Sequence, residues 1–169
     1  MWPIKNPGLD DFKNDLNKIQ ENEIASCLLI DVDLMSAIND NYGHEYGNDV
    51  LERIHVSLAD FCSVYTSCFF YHLSSDEFLV LISNPEINPI KFTKKIQKII
   101  EELNMPFSHP DIQRPHRDIV TISVGCITGT IQTNGWKKIL NSLEESLYQA
   151  KRSQPSGVNI TKLTVVSQK

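Results

Sequence analysis

Two stretches of the chain carry side chains of a type and spacing suited to phosphoryl chemistry: Ile30-Asp31-Val32-Asp33 and, further along, Ser74-Ser75-Asp76-Glu77-Phe78. Each sets acids at the edge of an apolar run. Laid side by side, they bring Asp31 and Asp76 together, and two carboxylates with a backbone carbonyl between them make a hard-oxygen site suited to Mg²⁺ carrying a triphosphate. That is the chemistry of nucleotidyl transfer. Residue types alone leave a second account open, in which these acids are ordinary strand-end carboxylates facing water.

The elements that must position these acids can be read from hydrophobic period. Ala25 to Ile30 is a continuous apolar run that fits a strand buried on both faces, ended by Asp31. Val64 to Tyr71 and Phe78 to Ile82 form two more strands, joined as a tight hairpin through Leu73-Ser74-Ser75-Asp76. Leu9, Phe12, Leu16 and Ile19 repeat at helical spacing over Leu9 to Gln20. A short helix around Met35 to Asn41 and a longer one from Tyr46 to Phe61 are separated by Gly43 and Gly47. Asn88 is placed to cap a helix from Pro89 to Leu103, with Phe92, Ile96, Ile99 and Leu103 on one face. A Pro- and His-rich loop, a strand Ile119 to Ile127, a helix Trp136 to Ala150 and a strand Val158 to Val165 follow. This order predicts a palm-like α+β domain, a central and mostly antiparallel sheet flanked by helices. Residues 1–22 read as a helical lead-in and 23–169 as the domain proper.

Composition narrows the class. A chain of 169 residues, 41% hydrophobic and 22% charged, has enough for one core and too little for two. Net charge −5 and a pI near 5.5 argue against a nucleic-acid partner, which selects for a clustered basic surface. There is neither an apolar stretch long enough for a membrane span nor a charged-then-apolar leader, so the expected location is the cytoplasm. Cys27, Cys62, Cys68 and Cys126 lack C-x-x-C spacing and lie mainly in apolar runs, as reduced core residues do. His109 and His116 bracket Pro110 to Pro115 without a ligand cluster beyond Asp111 and Asp118, which reads as a loop.

The segment Asp31-Val-Asp-Leu-Met-Ser-Ala-Ile-Asn-Asp-Asn-Tyr-Gly-His-Glu-Tyr-Gly-Asn-Asp-Val-Leu51 resembles the GGDEF family of diguanylate cyclases, whose pattern is D-x-D-x-F-K-x-x-N-D-x-x-G-H-x-x-G-D-x-x-L. Asp31, Asp33, Asn39, Asp40, Gly43, His44, Gly47 and Leu51 match at the right spacing. Ser74-Ser75-Asp76-Glu77-Phe78 is then a variant of the hairpin that names the family. Thr121-Ile-Ser-Val-Gly125 is similar to its strand S-x-G, and Leu147-Tyr-Gln-Ala-Lys151 to its late helix L-Y-x-A-K. A palm-type synthase like the polymerase subunit of CRISPR effectors shares the acidic hairpin, but Asn39 to Leu51 is closer to the cyclases.

The resemblance implies a fold of the adenylyl/diguanylate cyclase type and the condensation of two GTP into cyclic di-GMP by two facing copies of the domain. It implies Mg²⁺ or Mn²⁺ held by Asp31, the Val32 carbonyl and Asp76, with Asp76 and Glu77 as the catalytic acids. Asn39 and Asn48 would contact the base, Ser74 and Ser75 would line the nucleotide, and Lys151 would meet the terminal phosphates. A sensor or regulatory partner is also implied.

The departures point elsewhere. Met35-Ser36 replaces Phe-Lys and removes a cationic phosphate contact. Ser74 and Ser75 replace paired glycines, where a tight hairpin often needs positive φ. Asn48 replaces a base-reading Asp, which opens ATP beside GTP. Arg152-Ser-Gln-Pro-Ser-Gly157 replaces Gly-Arg-Asn, the lead-in pattern is barely visible in Trp2 to Leu9, and Tyr65-Thr-Ser-Cys68 stands where an allosteric R-x-x-D would be. Two readings follow: a working cyclase of altered activity or base specificity, and a catalytically inactive domain kept as a nucleotide-binding regulatory or protein-interaction module.

Overall fold

In the computed structural model, which describes residues 6–20, 23–108, 118–130, 135–153 and 156–163, the apolar run at Ala25 becomes the central strand β1 (Ile24–Val32). It lies between β3 (Glu77–Ile82) and β4 (Ile122–Thr130), and the sheet is completed by β2 (Cys68–His72) and β5 (Val158–Leu163) in the order β2-β3-β1-β4-β5. Pairings β2–β3, β3–β1 and β1–β4 are antiparallel, and β4–β5 is parallel.

Both faces of β1 are covered, which is why its sequence has no alternation. Leu28, Ile30 and Val32 pack with Val80, Ile82 and Val124 under α2 (Met35–Tyr42), α3 (His44–Ser63) and α4 (Pro89–Glu102). Ala25, Cys27 and Leu29 pack on the other side with Leu79, Leu81 and Ile127 under α1 (Leu9–Leu16) and α5 (Trp136–Ser153). Fully burying each Leu, Ile or Val contributes about 1.5–3 kcal/mol, so the sheet is clamped from both sides. At Gly125 of β4 the backbone of α5 comes so close that an added Cβ would meet Leu147 Cα at 2.7 Å and the Leu143 carbonyl at 2.8 Å. Only glycine permits that approach.

Local signals set the helix ends. The Asn88 side chain accepts hydrogen bonds from the Ile90 and Lys91 amides at 3.0 and 3.1 Å, with Pro89 at the first helical position. Helix α1 is shorter than expected, because beyond Leu16 the chain tightens into i→i+3 bonds that still bury Ile19. It is tied to the sheet by the Tyr71 hydroxyl, which donates to Asp15 at 2.8 Å.

The structure corrects the sequence reading in several places. The strand expected from Val64 starts only at Cys68, because α3 runs on to Ser63 and residues 64–67 turn through bonds from Tyr65 N to Cys62 O and Cys68 N to Tyr65 O. Asp31 does not end β1: it has strand partners on both sides, and the strand continues to Val32, which pairs with Ile122 of β4. Residues 119–121 precede β4, and Ile119 forms an isolated bridge to Pro106 there. Cys27, Cys62 and Cys126 are buried free thiols, and Cys68 is a half-buried one. His109, His116 and the segment between them lie outside the described residues, as do Thr164 and Val165 at the end of the last expected strand. Among the described residues no helix is long and apolar enough to cross a membrane.

Candidate active site

Antiparallel register brings the two acidic stretches together. Asp31 of β1 stands opposite Glu77 of β3 on one side and Ser123 of β4 on the other, and the Val32 amide donates to the Asp76 carbonyl at 3.2 Å. The hairpin between β2 and β3 closes with the Leu73 and Ser74 amides both donating to the Glu77 carbonyl, at 3.0 and 3.4 Å.

The expected backbone strain at Ser74 and Ser75 is absent. Among the described residues the non-glycine positions with positive φ are Leu34, Asn104 and Ser156. The turn thus reverses direction without the left-handed geometry that demands glycine. Both hydroxyls instead turn onto the acids: Ser74 Oγ donates to Glu77 Oε2 at 3.0 Å and Ser75 Oγ to Asp76 Oδ1 at 3.1 Å.

Asp31 is the electrostatic centre. Burial pushes its carboxyl up from 3.8 to about 6; the Lys151 ammonium opposes the rise, and the like charges of Asp76 and Glu77 add to it. Lys151, in the last turn of α5, places Nζ 2.6 Å from Asp31 Oδ1. Asp76 and Glu77 thus press on Asp31 with like charge, and among the described residues Lys151 is the ammonium paired with it; a donor set of hard oxygens with negative charge in excess fits a divalent cation. Among the described residues no three His, Cys, Asp or Glu side chains make a metal-holding group by themselves.

Asp33 has a different task, one that spacing alone does not reveal. It is buried, and its carboxylate accepts from Thr121 Oγ1 at 2.7 Å, Ser123 Oγ at 2.6 Å and the Ser156 amide at 2.9 Å. Its neighbour Leu34 is forced to φ 60° to start α2, a costly conformation for a non-glycine residue of the kind that gathers at functional sites.

The base-binding candidates lie on α2 and α3. Asn39 is half-buried and its Oδ1 is enclosed without a hydrogen-bond partner. It sits against Gly47 so tightly that an added Cβ there would collide with Oδ1 and meet Met35 Cε at 2.8 Å. An enclosed orphan acceptor is expensive unless a ligand donor meets it. Asn48 is exposed on α3, and Ser36 is exposed at the start of α2. The Tyr65 and Cys68 positions serve packing: the Tyr65 ring lies 5.5 Å from that of Phe61 and 5.6 Å from that of Phe92, and the neighbouring Cys62 thiol, together with burial, pushes the Cys68 thiol up.

A family model described as "Diguanylate cyclase, GGDEF domain" matches residues 9–156. The chain is 26% identical over 144 residues to Diguanylate cyclase A of Treponema denticola, covering 85% of this chain and 37% of that protein. It is 28% identical over 148 residues to Diguanylate cyclase DgcN of Escherichia coli K12, covering 85% and 34%. The chain therefore spans about a third of the length of these curated relatives. The GGDEF domain of DgcB from Caulobacter crescentus, solved in complex with c-di-GMP, matches with a TM-score of 0.70 at 15% identity, over 95% of this chain and 98% of that one.

Proposed function

Since the chain belongs to the GGDEF family of diguanylate cyclase domains, we propose that it condenses two GTP molecules into cyclic di-GMP, using Mg²⁺ or Mn²⁺ and a second copy of itself. The observation that carries this reading is the hairpin: Asp76 and Glu77 stand against Asp31 in unstrained register, although serines occupy the glycine positions. Asp31, the Val32 carbonyl and Asp76 would hold the metal. The bound ion would lower the pKa of the attacking ribose 3′-hydroxyl and spread the charge developing on the α-phosphate.

The protein's own part is positioning. Glu77, held by the Ser74 hydroxyl, is placed to accept the proton of the attacking hydroxyl or to steady it. The enclosed Asn39 Oδ1 accepts from the base, Asn48 reads its edge, and Ser74 and Ser75 line the phosphates. Lys151 neutralises the terminal phosphates. Because each domain holds one nucleotide, turnover requires a homodimer, and a sensor or regulatory partner controls when the copies meet. A nucleoside triphosphate substrate is consistent with work in the cytoplasm.

One feature favours the second reading, a domain that binds nucleotide as a regulatory or interaction module without turnover: Lys151 rests on Asp31 while the other cation of the pattern is Ser36. Incubating the purified protein with Mg²⁺ or Mn²⁺ and each nucleoside triphosphate, then resolving products by mass, separates the two. Metal-dependent cyclic di-GMP that disappears in Glu77→Gln supports the cyclase. Nucleotide binding without product under any condition establishes the module.

A further inference from the structure

The Asp31–Lys151 contact joins groups 120 residues apart in sequence, Nζ to Oδ1 at 2.6 Å, with the carboxylate side chain 12% exposed and the lysine 43%. The lysine is delivered from a rigid base. Ala150 beside it is fully buried, and one turn back Leu147 is pressed onto Gly125. Its ammonium therefore occupies one oxygen of the carboxylate assigned above to the metal, and that oxygen's charge is already compensated.

We propose that Lys151 is the resident counter-ion of Asp31 in the nucleotide-free site, and that it leaves for the triphosphate only when metal and nucleotide arrive together. This rests on the metal and phosphate roles proposed above. A divalent ion alone either displaces the ammonium from Asp31 or shares the carboxylate with it, and both outcomes set two cations side by side with no added anion, which is unfavourable. A metal–triphosphate complex brings phosphate oxygens that take over the ammonium, so the two ligands help each other. Linkage makes this reciprocal: the factor by which nucleotide tightens metal is the factor by which metal tightens nucleotide. The lysine thus keeps an empty site from filling with metal alone.

The test is Mn²⁺ binding to the full chain, followed by the electron paramagnetic resonance signal of free Mn²⁺, with and without a non-hydrolysable GTP analogue. In the absence of nucleotide, Lys151→Met is expected to bind Mn²⁺ tighter than wild type by roughly fivefold or more, the low end of ordinary coupling energies. With the analogue present the order reverses. Arg152→Gln removes an equal charge one residue along and controls for the general field; it is expected to tighten Mn²⁺ less than twofold or so. Asp31→Asn in the Lys151→Met background is expected to abolish the gain.

If wild type binds Mn²⁺ through Asp31 but Lys151→Met binds no tighter, or if Arg152→Gln tightens as much, the counter-ion role is overturned while the metal site stands. If no variant binds Mn²⁺ with or without nucleotide, the metal site and this proposal fall together. Should Lys151→Met misfold, the ¹⁵N resonance of the Lys151 ammonium in wild type decides. A protected signal that persists in Mg²⁺ alone and moves on adding the analogue supports the exchange, and a signal that moves with Mg²⁺ alone overturns it.

Discussion

Ser74 donates its hydroxyl to the carboxylate of Glu77 across the mouth of the β2–β3 hairpin, Oγ to Oε2 at 3.0 Å, with neither Ser74 nor Ser75 at positive φ. A glycine at position 74 would thus gain no backbone relief, would lose this bond and would enlarge the freedom of the unfolded chain. Ser74→Gly is expected to lower stability by about 0.5–1 kcal/mol, measured by urea denaturation. A gain of similar size would show that the serine is strained after all.

The raised carboxyl of Asp31 sets a pH dependence. Its folded pKa, about 6 against 3.8, lies above the unfolded value, so between those limits the folded state holds more protons than the unfolded one. Stability from this group therefore falls as pH rises through that window, and the full cost is present above it. In chelator-treated protein, Asp31→Asn is expected to exceed wild type by about 1–3 kcal/mol at neutral pH, with the gap shrinking towards about pH 4. A gap of equal size at both pH values would remove Asp31 as its source.

Asn48 stands exposed on α3 directly after Gly47, which packs against Asn39, and the proposed function gives it the edge of the nucleotide base. An amide presents one acceptor and one donor, whereas guanine's Watson–Crick edge offers two adjacent donors to a carboxylate. Weak discrimination between GTP and ATP is expected, and Asn48→Asp is expected to shift preference towards GTP by about 1–3 kcal/mol. Competition binding with equimolar nucleotides checks this. Strong guanine preference that Asn48→Asp leaves untouched would relieve Asn48 of the role.

Product feedback through the segment ahead of β2 is expected to be missing. Tyr65 is committed to packing with Phe61 and Phe92, and Cys68 to Cys62, so no guanidinium or carboxylate is available there to pair with a guanine nucleotide. Titration with cyclic di-GMP should show no tight binding that depends on these positions. Submicromolar binding lost on Tyr65→Ala would contradict this.

Most of the architecture was legible because each element announces itself locally: the apolar run of β1, the helical stripe of α4 with its Asn88 cap, the hairpin's polar bend. Antiparallel register then did the rest, setting Asp31 against Glu77 without any signal in either segment. What sequence could not supply were contacts between groups far apart in the chain. The Asp31–Lys151 pair and the three partners of Asp33 depend on how β4 and α5 return to β1, and spacing within a motif is silent on that. The strand misplaced at Val64 shows the opposite limit: an apolar residue in a turn, 76% exposed, looks locally like the start of a strand. The strain expected at Ser74 and Ser75 failed because it was inferred from the glycines of a pattern, and this turn closes through the Glu77 carbonyl instead.

The bonds of Asp33 bear on the order in which the chain can assemble. Its partners lie 88, 90 and 123 residues downstream, so the carboxylate cannot be satisfied until β4 and the turn into β5 have docked. A buried charge left unpaired costs about 3–5 kcal/mol, and contacts this distant in sequence form slowly because long loops must close first. A nascent chain ending before residue 121 therefore has strong reason to keep the acidic end of β1 open to water. The acidic end of the sheet is among the last parts to set, and a truncated or half-made chain has no organised cluster of Asp31, Asp76 and Glu77 there.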